Sequence, residues 1–158
     1  MPARRKRAIG ACLLALLLAG AEAPPPPTRV TYLLGGLLSG PYRLSADLEA
    51  RTLVEAATPR GARGDAARLR AADLPDTARH PLAPPEAERI GRLAAAVLDR
   101  GAARPGCPPM ADALMSLIIT AGAAERRFDL PVPCLTPEAR QLVDRLLCTA
   151  HPGSTGCR

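Results

Sequence analysis

The stretch TRVTYLLGGLLSGPYRLSADL, from Thr28 to Leu48, sets the fold class of this chain. Apolar residues fall at every second position of 30–34 and again of 42–48, which predicts two strands, each with one buried face. Residues 35–41 separate the strands, and their three glycines predict a turn or irregular loop. The stretch therefore predicts a β-hairpin with a wide glycine-rich loop, and 51–56 predicts a third strand beside it.

Working outward, a second hairpin and two helices are predicted downstream. Residues 112–120 and 124–130 flank the turn Ala121-Gly122, although a helix over 111–119 is the alternative for the short apolar run. Residues 85–100 carry an apolar stripe at helical spacing. Thr136 as cap and Pro137 at the first helical position predict a last helix that reaches Cys148. The fold class is α+β, with two β-hairpins forming a small antiparallel sheet packed against two helices.

Residues 58–81 form the least regular part of the chain. Prolines, glycines and five arginines interrupt every period in this segment. We therefore expect a long, flexible surface connection, with a short helix over 65–72. Arg126 and Arg127, on the last predicted strand, are expected at a sheet edge or a solvent face.

The amino terminus has the three parts of an export signal in order. Arg4-Arg5-Lys6-Arg7 is followed by an apolar run over 8–18 and by Ala19-Gly20-Ala21. The run has about 11–14 residues, short of the about 20 that a membrane helix needs. We expect cleavage after Ala21, a secreted or periplasmic protein, and no stable membrane insertion. A retained anchor is the alternative.

The remaining chain is expected to be one domain. Residues 22–27 predict a stiff, proline-rich spacer without a packing role, and 28–158 a single α+β domain with the flexible 58–81 connection. Four of the 21 basic residues lie in the first 21 residues, which leaves 17 basic against 15 acidic residues. With Tyr32, Tyr42 and Phe128 as the only aromatic residues, nucleic acid binding is not expected.

Four cysteines lie after the signal: Cys107, Cys134, Cys148 and Cys157. An even number in a short exported chain predicts two disulfides, and four cysteines allow three pairings. A hairpin centred on 121–122 brings Cys107 and Cys134 together. We therefore favour Cys107–Cys134, with Cys148–Cys157 joining the tail to the last helix.

Residues that carry chemistry are few. His80 falls in the irregular segment and is expected to be solvated, whereas His151 lies between Cys148 and Cys157. A cysteine–histidine metal site is the alternative to a disulfide beside a surface histidine, and we favour the disulfide. No nucleophile elbow, paired carboxylates or phosphate loop is present in a suitable context. We expect no enzyme, no metal and no cofactor.

The glycine-rich loop is the candidate contact with a partner. Its apolar residues lie at a predicted loop tip. Apolar side chains exposed there would add little to a folded core but could contact a partner. The candidate residues are Gly35, Gly36, Leu37, Leu38 and Gly40.

Two blocks of the sequence resemble the emfourin family. These are VTYLLGGLLSGPYRLSAD over 30–47, and the segments LIIT (117–120), FDLP (128–131) and LTPEARQLVDRLL (135–147). The family consists of small proteins that inhibit thermolysin-like metalloproteases. The resemblance implies a strand–turn–strand opening, a second hairpin and a closing helix, with 35–40 as a contact loop but no role for any single residue. We expect a non-catalytic protein that binds another protein, in the specific form a thermolysin-like metalloprotease. A structural or stress-related protein of the cell envelope is the alternative.

Overall fold

The computed structural model describes residues 23–35, 40–58, 70–107, 115–130 and 134–157. The expected fold class is confirmed, because the described chain forms one six-stranded antiparallel sheet and two helices. The strands are β1 (Pro27–Leu34), β2 (Tyr42–Asp47), β3 (Thr52–Ala57), β4 (Ala78–Pro81), β5 (Met115–Ala121) and β6 (Ala124–Asp129). The helices are α1 (Pro84–Arg100) and α2 (Pro137–Ala150), with a short 3-10 helix at Ala71–Asp73. The predicted signal at 1–21 lies outside the described residues.

The sheet has the strand order β4-β3-β2-β1-β5-β6, and each pair of neighbours is antiparallel. β1 is the strand that joins the two predicted hairpins into one sheet. Tyr32 of β1 lies opposite Leu44 of β2 on one side and opposite Leu117 of β5 on the other. The strand prediction for the apolar run before residue 121 is thus confirmed from Met115 onward.

The core lies between the sheet and the helices. Because side chains alternate along a strand, Val30 and Tyr32 face the helices while Arg29 and Thr31 face the other way. Burying this face removes apolar surface from water and so stabilises the fold. The largest fully buried side chains are Leu44, Leu53, Ile90, Leu117, Ile119, Leu130, Leu142, Leu146, Val30 and Val97.

The two helices pack antiparallel on this face. Arg100, at the end of α1, pairs with Glu138 at the start of α2 at 2.7 Å. At the other end of the pair, Glu86 and Arg145 lie 3.8 Å apart. Each helix begins with proline in its first turn, and the Thr136 side chain accepts a hydrogen bond from the Ala139 amide, as predicted for the cap of α2. Within the described residues, no helix is long and apolar enough to cross a membrane.

The segment 70–81 differs from its prediction as part of a flexible connection. Ala78–Pro81 forms β4, which pairs with β3, and Leu74 is buried. Arg43 of β2 donates to the carbonyls of Ala72 at 2.6 Å and Leu74 at 3.1 Å, and contacts the Asp76 carboxylate. These contacts fasten 70–76 over the sheet face that the helices leave open. The predicted helix over 65–72 falls mainly on residues outside the described part of the chain.

The proline-rich segment also differs from its prediction as a spacer without a packing role. β1 begins at Pro27, one residue before the predicted strand. Gly122, in the turn between β5 and β6, lies so close to Pro25 that an added Cβ would be 3.1 Å from the proline Cγ. Pro25 therefore lies against the β5–β6 turn, two residues before β1 begins.

Candidate functional site

The two ends of the sheet are built differently. At one end, tight turns at 48–51 and 122–123 join the strands. At the opposite end lie Leu34, Tyr42, Ala57, Met115 and Asp129, the residues at which five strand ends meet. We call this the loop end, because four longer connections attach there: 35–41, 58–77, 101–114 and 130–136. Variable, functional surfaces of small proteins are commonly built from such clustered loops on a rigid sheet.

The candidate contact loop is one of these four connections. Gly35 is exposed and follows β1 directly, and Gly40 precedes β2. Gly36, Leu37 and Leu38 lie outside the described residues. Gly40 has a φ of +75°, and an added Cβ would lie 3.0 Å from the Thr58 side chain. Both the amide and the hydroxyl of Thr58 donate to the Pro41 carbonyl, at 3.3 and 3.2 Å. The base of the loop is therefore fixed to the connection that follows β3.

Both predicted disulfides are present, and Cys107–Cys134 braces the loop end. Cys107–Cys134 joins the connection that enters β5 to the one that leaves β6. A bridge between Ala103 and Leu135 aligns the same two segments. Cys148–Cys157 closes the tail onto the last turn of α2. Cross-links of this kind limit the conformations available to the segments that they join.

A polar cluster lies beside the loop end, on the helix-covered side of β2, β3 and β4. Its centre is Glu55 of β3, whose side chain is only 15% exposed. Nε2 of His80 in β4 lies 3.4 Å from one Glu55 oxygen, and Nε2 of His151 lies 3.5 Å from the other. The Tyr42 hydroxyl is 2.9 Å from the same His151 nitrogen. Both histidines of the chain thus converge on one carboxylate.

The electrostatics of the cluster keep Tyr42 protonated. Burial raises the pKa of the Tyr42 phenol above its ordinary value of 10.0, and the negative charge of the nearby Glu55 carboxylate raises it further. Tyr42 therefore remains a hydrogen-bond donor throughout the physiological range. The cluster joins β2, β3 and β4 to His151, the residue that follows α2. These contacts hold the carboxyl-terminal segment against the sheet, which is a structural role.

The sequence prediction for His80 as a solvated residue of an irregular connection is wrong. His80 lies in β4 opposite Leu53, and its side chain is 28% exposed. One feature of the sequence could have predicted the cluster. Glu55 lies two residues after Leu53 in a predicted strand, so both side chains are expected on the same, buried face of the sheet. A carboxylate on a buried face requires hydrogen-bonding or charged partners, and the two histidines of the chain are side chains that can supply them.

His151 does not form the alternative metal site with its neighbouring cysteines, because Cys148 and Cys157 are bonded to each other. Across the described ranges, no group of three or more histidine, cysteine, aspartate or glutamate residues is placed to hold a metal ion. Cysteines in a disulfide have no thiolate with which to bind a metal ion, so Cys148 and Cys157 serve to link the tail covalently to α2.

A separate groove of about 870 Å³ lies near the turn end, between α1 and Pro24–Pro27. Gly91, Ala95 and Leu98 of α1 supply much of its apolar wall. Its charged lining residues are all exposed, so it lacks the convergent buried polar groups of a specific ligand site. The loop end, where the predicted loop, the Cys107–Cys134 disulfide and the polar cluster meet, is the stronger candidate.

Comparison of the chain with protein-family models, with curated proteins and with solved structures finds no match.

Proposed function

We propose that this protein is exported and acts without catalysis, by binding another protein through the loop end. Its specific form in this proposal is inhibition of a thermolysin-like metalloprotease.

Export is supported by the amino-terminal pattern and by the cysteines. The basic cluster, the short apolar run and Ala19-Gly20-Ala21 are typical of a cleaved signal. Two disulfides suit an oxidising environment outside the cytoplasm. We propose the periplasm or the exterior of the cell as that environment.

The convergence of four connections on one disulfide-braced end of the sheet carries the proposal of partner binding. A loop that is already held in place loses less conformational entropy when a partner binds, so more of the contact energy appears as affinity. Thr58 fixes the base of the 35–41 loop, and the Glu55 cluster fixes β2 and β3 behind it. The leucines at 37 and 38 would supply apolar contact area.

Protease inhibition is supported by the sequence resemblance and by the bracing. A protein that occupies a protease must resist cleavage itself, and segments that seldom unfold locally are cut slowly. Cys107–Cys134 restrains two of the four connections, and Cys148–Cys157 restrains the tail beside them.

The test is a titration of thermolysin with the secreted protein, in which residual activity is followed with a peptide substrate. The proposal predicts stoichiometric inhibition that the double substitution Leu37→Asp/Leu38→Asp abolishes. The matched control is Ala50→Asp/Ala123→Asp, which adds the same two charges to exposed turn-end positions and should inhibit like the unsubstituted protein. Full thermolysin activity at molar excess of the protein refutes inhibition of this enzyme class.

The broader proposal has its own test. Affinity capture from the exported fraction of the source organism is carried out with the unsubstituted protein and with both double variants. Partner binding at the loop end predicts a protein retained by the unsubstituted chain and the turn-end control but lost from the Leu37/Leu38 variant. Identical capture by all three chains, or none by any, contradicts it and favours the structural alternative.

A further inference from the structure

The two edges of the sheet are protected to different degrees. β4, at one edge, has only four residues and ends in Pro81, which cannot donate a backbone hydrogen bond. β6, at the other edge, has six residues, contains neither glycine nor proline, and pairs with β5 in unbroken register. No described residue pairs with its outer side, since β6 is the terminal strand. β6 is therefore the edge at which another strand can add.

The backbone groups that point outward from β6 can be identified. Ala121 and Ala124 close a two-residue hairpin loop, and the Leu130 amide donates to the Met115 carbonyl at 2.9 Å. In an antiparallel pair, hydrogen-bonded and non-hydrogen-bonded positions alternate. The amides and carbonyls of Glu125, Arg127 and Asp129 therefore point away from β5, toward an incoming strand.

The side chains at these outward positions form a self-complementary charge pattern. Glu125 and Arg127 lie on the sheet face opposite the helices, and both are exposed. In an antiparallel pairing of β6 with itself about Arg126, Glu125 faces Arg127 of the partner subunit, and Arg127 faces Glu125 of the partner subunit. The backbone amides and carbonyls of both positions point toward the incoming strand. This register therefore forms backbone hydrogen bonds and places opposite charges side by side. Shifting the centre to Arg127 would oppose like charges at every outward position.

Arg126, at the centre of this register, is turned toward its own chain. Its guanidinium donates to the Leu98 carbonyl at 2.8 Å and lies 5.1 Å from the centre of the Phe128 ring. These contacts hold the charge over α1 and leave the backbone edge accessible, which reduces the repulsion between the two central arginines.

We propose that a second copy of this chain docks on β6, in antiparallel register about Arg126, so that the two sheets become continuous. A two-fold axis perpendicular to the sheet then relates the subunits. Because the strand directions are opposed, the two loop ends point in opposite directions and each stays free. The inference does not depend on the proposed function, although a dimeric inhibitor would engage two protease molecules.

The test measures the mass of the secreted protein in solution by sedimentation velocity at several concentrations. It compares the unsubstituted chain with two charge-reversed variants and with a mixture of those variants. The unsubstituted chain should reach dimer mass as concentration rises. Glu125→Arg alone and Arg127→Glu alone should each weaken dimerisation by at least about tenfold, because each places like charges opposite each other twice. An equimolar mixture of the two variants should dimerise again, since every facing pair is then of opposite charge.

Glu49→Arg is the matched control, because it makes the same charge change at an exposed position of the turn end and should leave the dimer intact. Arg127→Glu also removes bonds to Ser116 and Asp129, whereas Glu125→Arg does not, so the mixture separates edge pairing from local damage. A monomer at every concentration, a dimer that neither reversal weakens, or a mixture that fails to dimerise would each overturn the proposal.

Discussion

Replacing Cys107 and Cys134 by serine is the perturbation that bears most directly on the bracing of the loop end. The bond spans 27 residues of sequence and closes the open end of the β5–β6 hairpin. Both cysteines are half-buried, so the substitution leaves no large cavity in the core. Its main effect should be to release the unfolded chain from a cross-link.

The expected cost follows from the length of the closed loop. In the chain-entropy relation, a separation of 27 residues corresponds to about 3.5 kcal/mol at 25 °C. The second bond spans nine residues, for which the same relation gives about 2.6 kcal/mol. Removing Cys107–Cys134 should therefore destabilise the protein more than removing Cys148–Cys157 does, by about 1 kcal/mol.

Urea unfolding of the oxidised protein and of the two double-serine variants measures these costs. The denaturant dependence should rise in both variants, and more in Cys107→Ser/Cys134→Ser, because the released unfolded chain exposes more surface. A loss below about 1 kcal/mol for the longer bond would refute the entropic account, since it lies far below the range expected for such a loop. A larger loss for the shorter bond would refute it as well.

Four further predictions concern single side chains, each measured by urea unfolding. Thr136→Ala should cost about 0.5–2 kcal/mol through loss of the α2 cap, whereas Thr136→Ser should keep most of it. Glu55→Gln should cost about 1–3 kcal/mol because it removes the charge that two imidazoles share, and an equal effect of Glu49→Gln at the exposed turn would contradict this. Leu146→Ala should cost about 2–5 kcal/mol, because the side chain is fully buried, and a cost near zero would place it outside the core. The hydrogen bond from the Ala50 amide and, to a smaller extent, Arg29 lower the pKa of Asp47 below its ordinary value of 3.8. Asp47 therefore contributes to the free energy of unfolding above pH 3.8, and this contribution is lost as pH falls through the pKa of the folded protein. Asp47→Asn should make the free energy of unfolding depend less steeply on pH in the acid range.

Much of the architecture was accessible from local patterns. The alternation over 30–34 and 42–48 predicted β1 and β2, and Thr136-Pro137 predicted the start of α2 within one residue. The disulfide pairing followed from topology, because a hairpin about 121–122 brings Cys107 and Cys134 together. These features depend on contacts near in sequence, where hydrophobic period and turn chemistry are informative.

The missed features depend on contacts that are distant in sequence. β4 has only four residues and contains Arg79 and Pro81, so no strand period was visible. It exists because the outer side of β3 offers a ladder of hydrogen-bonding partners, and Arg43 fastens the preceding segment. The Glu55 cluster unites residues from β2, β3, β4 and the end of α2, and such a set emerges only once the sheet order is known.

The intact mass of the protein recovered from the exported fraction, with and without reduction and alkylation, tests the central claim most directly. An exported, disulfide-braced protein predicts a chain that begins at Glu22 and whose four thiols become alkylated only after reduction. A full-length chain with freely alkylated cysteines would contradict the account, because neither the cleaved signal nor the bracing of the loop end would then exist.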